Sequence, residues 1–298
     1  EIGEYSGSVK EVRPVTIATY QVLTTKRGGL YPHLELVDGN DWGLIIYDEV
    51  HLLPAPIFRM TADLQARRRL GLTATLVRED GREGEVFSLI GPKRYDAPWK
   101  DIEAQGYIAP ADCVEVRIDL PRDERVAYAM AEDADKYRLC ATSESKTLVV
   151  EQLVAEHAGE QLLVIGQYID QLDEIGERLQ APVIKGDTSV KERQKLFDAF
   201  RAGEVQTLVV SKVANFSIDL PEASVAIQVS GSFGSRQEEA QRLGRLLRPK
   251  QDGRAARFYS LVARDTLDQD FAAKRQRFLA EQGYAYRIMD AKDVGAGN

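Results

Sequence analysis

The sequence has few of the features that mark secreted or membrane proteins. Cys113 and Cys140 are its only cysteines, which is typical of a reducing compartment and not of a disulfide framework. No apolar run approaches the roughly 18 residues that a membrane span needs, and no secretory signal opens the chain. We therefore expect a cytoplasmic protein without a membrane partner.

Metal-binding clusters and an excess of positive charge are missing as well. The chain has 3 histidines, and no Cys/His cluster has the spacing of a zinc site. The net charge of -8 argues against a surface coated by nucleic acid, because phosphate contacts need lysine and arginine. Local basic tracks remain at 67–69 and 236–257. The chain opens on Glu1, so we expect a piece of a longer protein.

Length and hydrophobic pattern predict an α/β protein of two lobes. Single cores stop growing near ~250–300 residues, and short apolar segments between helical stretches favour parallel sheets. The predicted strands are 15–19, 42–47, 69–75, 113–120, 161–165, 205–210, 223–229 and 258–262. Helices are predicted at 190–202 and 237–247, and the tail from Gly283 is expected to fray. Gly106 and Pro110 mark a junction, which divides the chain into 1–110 and 111–298.

Two adjacent carboxylates, Asp48 and Glu49, follow the predicted strand 42–47. Ligands of open parallel sheets bind at the carboxyl ends of strands. ATP hydrolysis needs one carboxylate to hold Mg²⁺ and a second base to orient the attacking water. Asp48 would hold the metal, through water, and Glu49 would activate the nucleophile. The alternative is a polar turn, since Asp-Glu pairs are common.

Two further segments carry groups suited to such a site. Thr73 and Thr75 flank a small residue just after a predicted strand; they could couple the site to movement or form an ordinary Ser/Thr turn. Gln241, Arg245 and Arg248 share one face of a predicted helix. Arginine suits a γ-phosphate because it stays charged and offers a fork of donors. The alternative for this helix is a solvated basic face.

Together these segments resemble the XPB family of superfamily 2 helicases. The ordered matches are DEVH at 48–51, GLTAT at 71–75, LVRED at 76–80, LIGPK at 89–93, GYIA at 106–109 and QRLGRLLRP at 241–249. The resemblance covers roughly residues 15–260. It implies two tandem RecA-like parallel-sheet lobes, the first at 1–110 and the second at 111–298.

The resemblance also implies roles for residues of the first lobe. Asp48 and Glu49 correspond to the Walker B pair, and His51 couples nucleotide state to the rest of the core. Thr73 and Thr75 belong to the motif that links hydrolysis to unwinding. The next motif corresponds to a loop that contacts DNA near the point of strand separation in this family, and it comprises Arg78, Glu79 and Asp80.

In the second lobe, the resemblance identifies Gln241, Arg245 and Arg248 as the last helicase motif. Gln241 would contact the nucleotide, and the two arginines are finger candidates. Residues 211–221 correspond to a motif that touches nucleotide and DNA, with Ser211 on the DNA side and Asp219 on the nucleotide side. The sequence departs from the family there, because many relatives have Glu-Gly where this chain has Phe-Ser at 216–217.

Some family features are not found in this sequence. The phosphate-binding loop GxxxxGK(S/T), whose backbone N–H groups and lysine cradle phosphates, is absent, as is the family's N-terminal damage-recognition region. The thumb insertion is reduced, with 123–145 as its only candidate. We therefore expect an incomplete first lobe and no ATP hydrolysis by this chain alone.

For the longer protein, the resemblance implies an ATP-dependent 3′→5′ DNA helicase or double-strand translocase of nucleotide-excision repair. It would use ATP and Mg²⁺ and bind DNA, in the nucleoid if the source is prokaryotic. A nuclease or other repair factors are open as partners. Two alternatives stay open: a superfamily 2 RNA helicase, and a non-catalytic interaction module. ATPase stimulation by DNA and by RNA separates all three.

Overall fold

The computed structural model describes residues 1–53, 55, 59–73, 83–211, 223–231 and 255–295. By its internal contacts the chain forms two compact units, Glu1–Asp96 and Ala97–Asn298. This division precedes the junction that the sequence indicates, because Trp99 belongs to the second unit. Its ring meets that of Tyr284 edge-on at 6.2 Å. The assignment of 1–110 and 111–298 to two helicase lobes stays a prediction.

The first unit contains two small parallel sheets. Strands β1 (Ile2–Tyr5) and β2 (Val15–Ala18) form one, and β3 (Trp42–Tyr47) and β4 (Ala66–Gly71) form the other. Its helices are α1 (Tyr20–Leu23), α2 (Pro32–Asp38) and α3 (Glu83–Leu89), with 3₁₀ turns at Val50–Leu52 and Met60–Asp63. The predicted strand at 42–47 is confirmed, whereas the sequence gives no sign of β1.

The strand predicted at 69–75 begins earlier and ends earlier than expected. Strand β4 stops at Gly71, because the next backbone groups leave the regular ladder. Leu72 donates its N–H to the carbonyl of Tyr47 at 2.8 Å, and Val50 donates to the carbonyl of Leu72 at 2.9 Å. These two bonds hold the turn after β3 against the segment after β4, at the carboxyl edge of the sheet.

The second unit is built on a parallel sheet of seven strands in the order β11-β5-β10-β9-β6-β8-β7. The strands are β5 (Ala111–Ile118), β6 (Leu162–Gly166), β7 (Val183–Ile184), β8 (Thr207–Ser211), β9 (Val225–Gln228), β10 (Ala256–Ala263) and β11 (Tyr286–Asp290). Residues of β6 and β9 are buried throughout, as expected for parallel strands covered on both faces.

Helices flank this sheet. They are α4 (Trp99–Ala104), α5 (Arg122–Met130), α6 (Asp133–Ala141), α7 (Glu144–Glu156), α8 (Ile169–Leu179), α9 (Val190–Arg201) and α10 (Leu267–Glu281). The predicted start of α9 is confirmed, because Ser189 Oγ accepts from the Glu192 N–H at 3.2 Å and caps the helix. After its end, Gly203 has a φ of +76°, the left-handed conformation that glycine adopts most readily.

The expectation of a frayed tail from Gly283 is wrong. Residues Tyr286–Asp290 form β11, which pairs in parallel with β5. The backbone of β5 is hydrogen-bonded to β11, which forms an edge of the sheet. Met289 of β11 packs against the core. Tyr284 is also held, since its hydroxyl donates to Glu103 Oε2 at 2.7 Å.

Candidate functional site

The acidic pair lies where β3 ends. Asp48 is exposed, and its Oδ1 accepts from the backbone N–H of Glu49 at 2.9 Å. Glu49 adopts a left-handed backbone with a φ of +49°, which costs roughly 1–3 kcal/mol for a residue other than glycine. The turn reverses the chain at once into the 3₁₀ helix Val50–Leu52. The turn therefore places the two adjacent carboxylates just beyond the carboxyl end of β3.

His51 connects the acidic pair to the segment after β4. Its side chain is 2% exposed. Nδ1 lies 2.9 Å from Thr73 Oγ1 and 3.4 Å from Glu49 Oε2. A neutral imidazole nitrogen either donates or accepts, and the threonine hydroxyl can match it in both cases. Three of the predicted site residues, Glu49, His51 and Thr73, thus meet at the carboxyl edge of β3 and β4.

Replacement of Thr73 by valine keeps the side-chain shape and removes the hydroxyl that contacts His51. In the full-length protein we expect Thr73→Val to keep ATP hydrolysis within about threefold of the parent. Strand separation per ATP is expected to fall about tenfold, within the range of a coupling energy of 0.5–2 kcal/mol. Parallel ATPase and fluorescent-duplex unwinding assays measure the two rates.

The matched control is Thr25→Val, because the Thr25 hydroxyl lies on an exposed turn and donates to the backbone carbonyl of Gln21, at 2.9 Å. Both activities of this control should match those of the parent. A proportional loss of hydrolysis and unwinding in Thr73→Val would show that the hydroxyl serves the chemical step and not the coupling.

Gly71 allows the turn after β3 to approach the end of β4. A methyl group at Gly71 would lie 2.7 Å from Val50 Cγ2, well inside van der Waals contact. Val50 is 4% exposed and its Cβ and Cγ1 would each lie 3.1 Å from the same methyl group. The position of the 3₁₀ turn that carries His51 therefore depends on a glycine at residue 71.

Because of this contact, Gly71→Ala should lower the free energy of unfolding by about 1–3 kcal/mol, the usual effect of overpacking. Gly43→Ala on the neighbouring strand is the control, since a methyl group there would meet nothing within 4 Å. Its effect should stay within about 0.5 kcal/mol. Denaturant titration of both variants tests the difference, and equal stabilities would show that Val50 yields without strain.

Two tyrosines that the sequence patterns do not single out, Tyr20 and Tyr47, stabilise the same edge of the sheet by hydrogen bonds to the backbone. The Tyr20 hydroxyl donates to the backbone carbonyl of Asp48 at 2.7 Å. Burial, followed by the nearby Tyr47, Asp48 and Glu49, raises the pKa of Tyr20 well above its ordinary value. Tyr47 donates to the carbonyl of Thr61 at 2.7 Å, and burial raises its pKa too. Both phenols therefore remain protonated donors at neutral pH. Their contacts join residues far apart in sequence, so local patterns could not show them.

The exposed Asp48 carboxylate has the chemistry of a magnesium ligand. Asp48 Oδ2 has no hydrogen-bond partner within the part of the chain that the structure describes. No cluster of three or more His, Cys, Asp or Glu side chains able to hold a metal occurs among the described residues. Protein sites commonly supply one or two carboxylates to Mg²⁺, with phosphates and water completing the octahedron. A single exposed aspartate at a strand end meets that need.

Other predicted site residues lie elsewhere or outside the described residues. Ser211 ends β8 in the second unit and is 2% exposed. The basic track at 67–69 is partly structural, since Arg69 donates to the carbonyl of Leu64 at 2.9 Å. The predictions that lie outside the described residues are those for Thr75, Arg78, Glu79, Asp80, Asp219, Gln241, Arg245, Arg248 and the helix 237–247.

Comparison with solved structures defines the class of fold. The chain superposes with a TM-score of 0.63 on S. cerevisiae Dbp5 bound to RNA and ADP BeF3, covering 99% of this chain and 71% of that one at 13% identity. At that identity the likeness concerns the fold alone. It supports the RecA-like α/β architecture of helicases.

Sequence comparison then identifies the family. Residues 102–296 match the ERCC3/RAD25/XPB C-terminal helicase family, and residues 2–78 match the res subunit of type III restriction enzymes. The chain belongs to the ERCC3/RAD25/XPB family, which confirms the resemblance seen in its motifs.

Curated relatives from different organisms agree with this assignment. The chain is 82% identical over 297 residues to the DNA 3'-5' helicase XPB of Kineococcus radiotolerans, covering 100% of this chain and 53% of the relative. It is 71% identical to the protein of that name in Mycobacterium tuberculosis, covering 99% and 54%. Identity to the S. cerevisiae general transcription and DNA repair factor IIH subunit XPB/SSL2 is 37%, covering 92% and 34%. The chain thus spans about half the length of its bacterial relatives.

Proposed function

We propose that the protein to which this chain belongs is an ATP-dependent DNA motor of nucleotide-excision repair, a 3′→5′ helicase or double-strand translocase. The observation that carries the proposal is the contact of His51 with both Glu49 and Thr73, at 3.4 Å and 2.9 Å. This contact links Glu49, the candidate general base, to Thr73 in the segment after β4. A motor requires such a link between the site of ATP hydrolysis and the rest of the protein. Membership of the XPB family and the names of the relatives support the same function.

The chemistry follows from the acidic pair. When bound with ATP, Mg²⁺ neutralises charge on the phosphates. The exposed Asp48 carboxylate would hold that ion through water. Glu49 would accept a proton from the attacking water, which makes it the general base. A shift of Glu49 would move His51, and the hydrogen bond between His51 and Thr73 would transmit that movement to the segment after β4.

The remaining site residues are proposed from the family resemblance. Arg245 and Arg248 would stabilise charge on the transferring phosphoryl group, and Gln241 and Asp219 would contact the nucleotide. On the DNA side, the residues are Thr75, Arg78, Glu79, Asp80 and Ser211. DNA is the proposed partner, in the cytoplasm and on the nucleoid of a prokaryotic cell. A nuclease or another repair factor would act on the same DNA.

The first unit carries a sign of incompleteness. A cavity of about 1060 Å³ is lined by residues of both β2 and β3. Apolar side chains of these two strands are exposed, including Ile17 at 66% and Ile46 at 55%. Together with the absent GxxxxGK(S/T) loop, this supports a first lobe that is completed by another part of the longer protein. No helix in the described part of the chain could span a membrane.

ATPase assays of the full-length protein with duplex DNA, single-stranded DNA and RNA test the proposed function. DNA should stimulate hydrolysis at least about tenfold and RNA should not, while this chain alone should hydrolyse ATP no faster than buffer. Equal stimulation by RNA would indicate an RNA helicase. A full-length protein without ATPase activity would be a non-catalytic interaction module.

A further inference from the structure

A buried cluster of three charged side chains lies beside the ends of β9 and β10. Lys146 of α7 and Asp268 of α10 are both 0% exposed, and Arg275 of α10 is 1% exposed. Lys146 Nζ donates to Asp268 Oδ2 at 2.6 Å, and Arg275 Nη2 lies 3.6 Å from Asp268 Oδ1. Burial of charge is unfavourable unless each group is well paired. Removal of one partner of such a cluster would leave an uncompensated buried charge.

The ammonium group of Lys146 donates its two other hydrogen bonds to backbone carbonyls. Lys146 Nζ donates to the carbonyl of Val229, just after β9, at 2.8 Å and to the carbonyl of Leu261, within β10, at 3.0 Å. Asp268 Oδ2 also accepts from the N–H of Ala263 at 3.0 Å. The cluster therefore fixes the main chain at the carboxyl end of two neighbouring strands, where ligands of parallel sheets bind.

Gly231 is held by one further side chain, Tyr137, and lies close to Arg275. The Tyr137 hydroxyl donates to the Gly231 carbonyl at 2.5 Å and accepts from its N–H at 3.2 Å. A methyl group on Gly231 would lie 2.5 Å from Arg275 Cζ. Arg275 is 1% exposed and its Nη2 lies 3.6 Å from Asp268 Oδ1, so its guanidinium would have to shift to admit a methyl group. Only glycine fits between these two side chains without displacement.

The clamped backbone continues directly into residues 232–254, which contain Gln241, Arg245 and Arg248. We propose that Lys146, Asp268, Arg275 and Tyr137 are positioning residues for ATP hydrolysis, because they fix the point from which the arginine-bearing segment starts. This inference rests on the proposed function. Lys146 acts on the carbonyl of Val229 and Tyr137 on the backbone of Gly231, while Asp268 pairs with Lys146 and with Arg275.

If the cluster contributed to stability alone, its variants would have a different kinetic effect. Loss of core stability would lower the melting temperature and the fraction of active protein, but folded molecules would turn over ATP normally. Loss of positioning lowers kcat in fully folded protein and leaves the KM for ATP unchanged. A misplacement of about 1 Å can cost 10²-fold in rate, so kcat is the sensitive readout.

The first test is Gly231→Ala in the full-length protein, assayed with saturating duplex DNA well below the melting temperature. We expect kcat to fall about tenfold or more and the KM for ATP to stay within about twofold. Gly7→Ala is the control, since a methyl group there would meet nothing within 4 Å. Parental kcat in folded Gly231→Ala would overturn the proposal.

A double-mutant cycle shows whether Arg275 transmits the effect. Arg275→Met removes the guanidinium, keeps most of the volume and leaves Lys146 paired with Asp268. The double variant Gly231→Ala/Arg275→Met should have a kcat within about twofold of Arg275→Met alone, because the clash is gone. Losses that multiply would show that Gly231 and Arg275 act independently and would contradict the clamp.

Tyr137→Phe provides a test if the glycine variant does not fold. It removes one hydroxyl and the two contacts with Gly231, and we expect kcat to fall about threefold to tenfold with an unchanged KM. A parental kcat in this variant would overturn the clamp. A parent protein that shows no DNA-stimulated ATPase would instead contradict the proposed function, so the two failures are distinguishable.

Discussion

Glu49→Gln in the full-length protein is expected to bind ATP with nearly parental affinity and to hydrolyse it about 10²–10⁴-fold more slowly, the usual effect of losing a general base. The amide keeps the shape of the side chain but cannot accept a proton from water. Glu49 also lies 3.4 Å from His51 Nδ1 through its Oε2. An amide can still make a polar contact there, so the connection to Thr73 should survive.

Single-turnover hydrolysis and equilibrium nucleotide binding separate the two effects of this substitution. Glu35→Gln is the matched control, because Glu35 is an exposed carboxylate on α2 of the same unit. It should leave both binding and turnover at parental values. Steady-state hydrolysis by Glu49→Gln near the parental rate would show that another group activates the water. Equal losses of binding and turnover would assign Glu49 to nucleotide binding instead.

Strands in the interior of the large sheet were predictable, because both faces of such strands are covered and their residues are almost all apolar. Strand β6, with LLVIG at Leu162–Gly166, is an example. Strand β11 was missed because it lies at an edge of the sheet, where Arg287 and Ile288 are exposed and no residue of the strand is fully buried. Its formation depends on pairing with β5, which no local pattern reveals.

The candidate site shows the same division. Asp48, Glu49 and His51 are close in sequence and follow an apolar strand, so a motif identifies them. The contact of His51 with Thr73 spans two strands, and only the parallel pairing of β3 with β4 brings these residues together. The Tyr20 contact and the buried cluster around Lys146 involve residues still farther apart. Tertiary contacts of this kind carry no signal in the spacing of residue types.

Arg245→Lys and Arg248→Lys are each expected to lower kcat of the full-length protein at least about tenfold. Charge on the γ-phosphoryl oxygens must be stabilised as the bond breaks, and an arginine finger contributes about 10³–10⁵ in rate in other phosphoryl-transfer enzymes. Lysine keeps the charge but loses the planar fork of donors. ATP binding should change little, because the phosphate-binding loop of the longer protein would supply most of it.

Arg242→Lys is the matched control for both arginine variants. On an ideal helix, Arg242 would lie about 100° from Gln241, about 60° from Arg245 and about 120° from Arg248, so we expect its replacement to leave kcat at the parental value. Single-turnover hydrolysis with saturating DNA gives the rates, and nucleotide titration confirms that binding is intact. If Arg245→Lys and Arg248→Lys both turn over ATP at the parental rate, this face contacts DNA or the core, and the charge on the transferring phosphoryl group is stabilised by other residues.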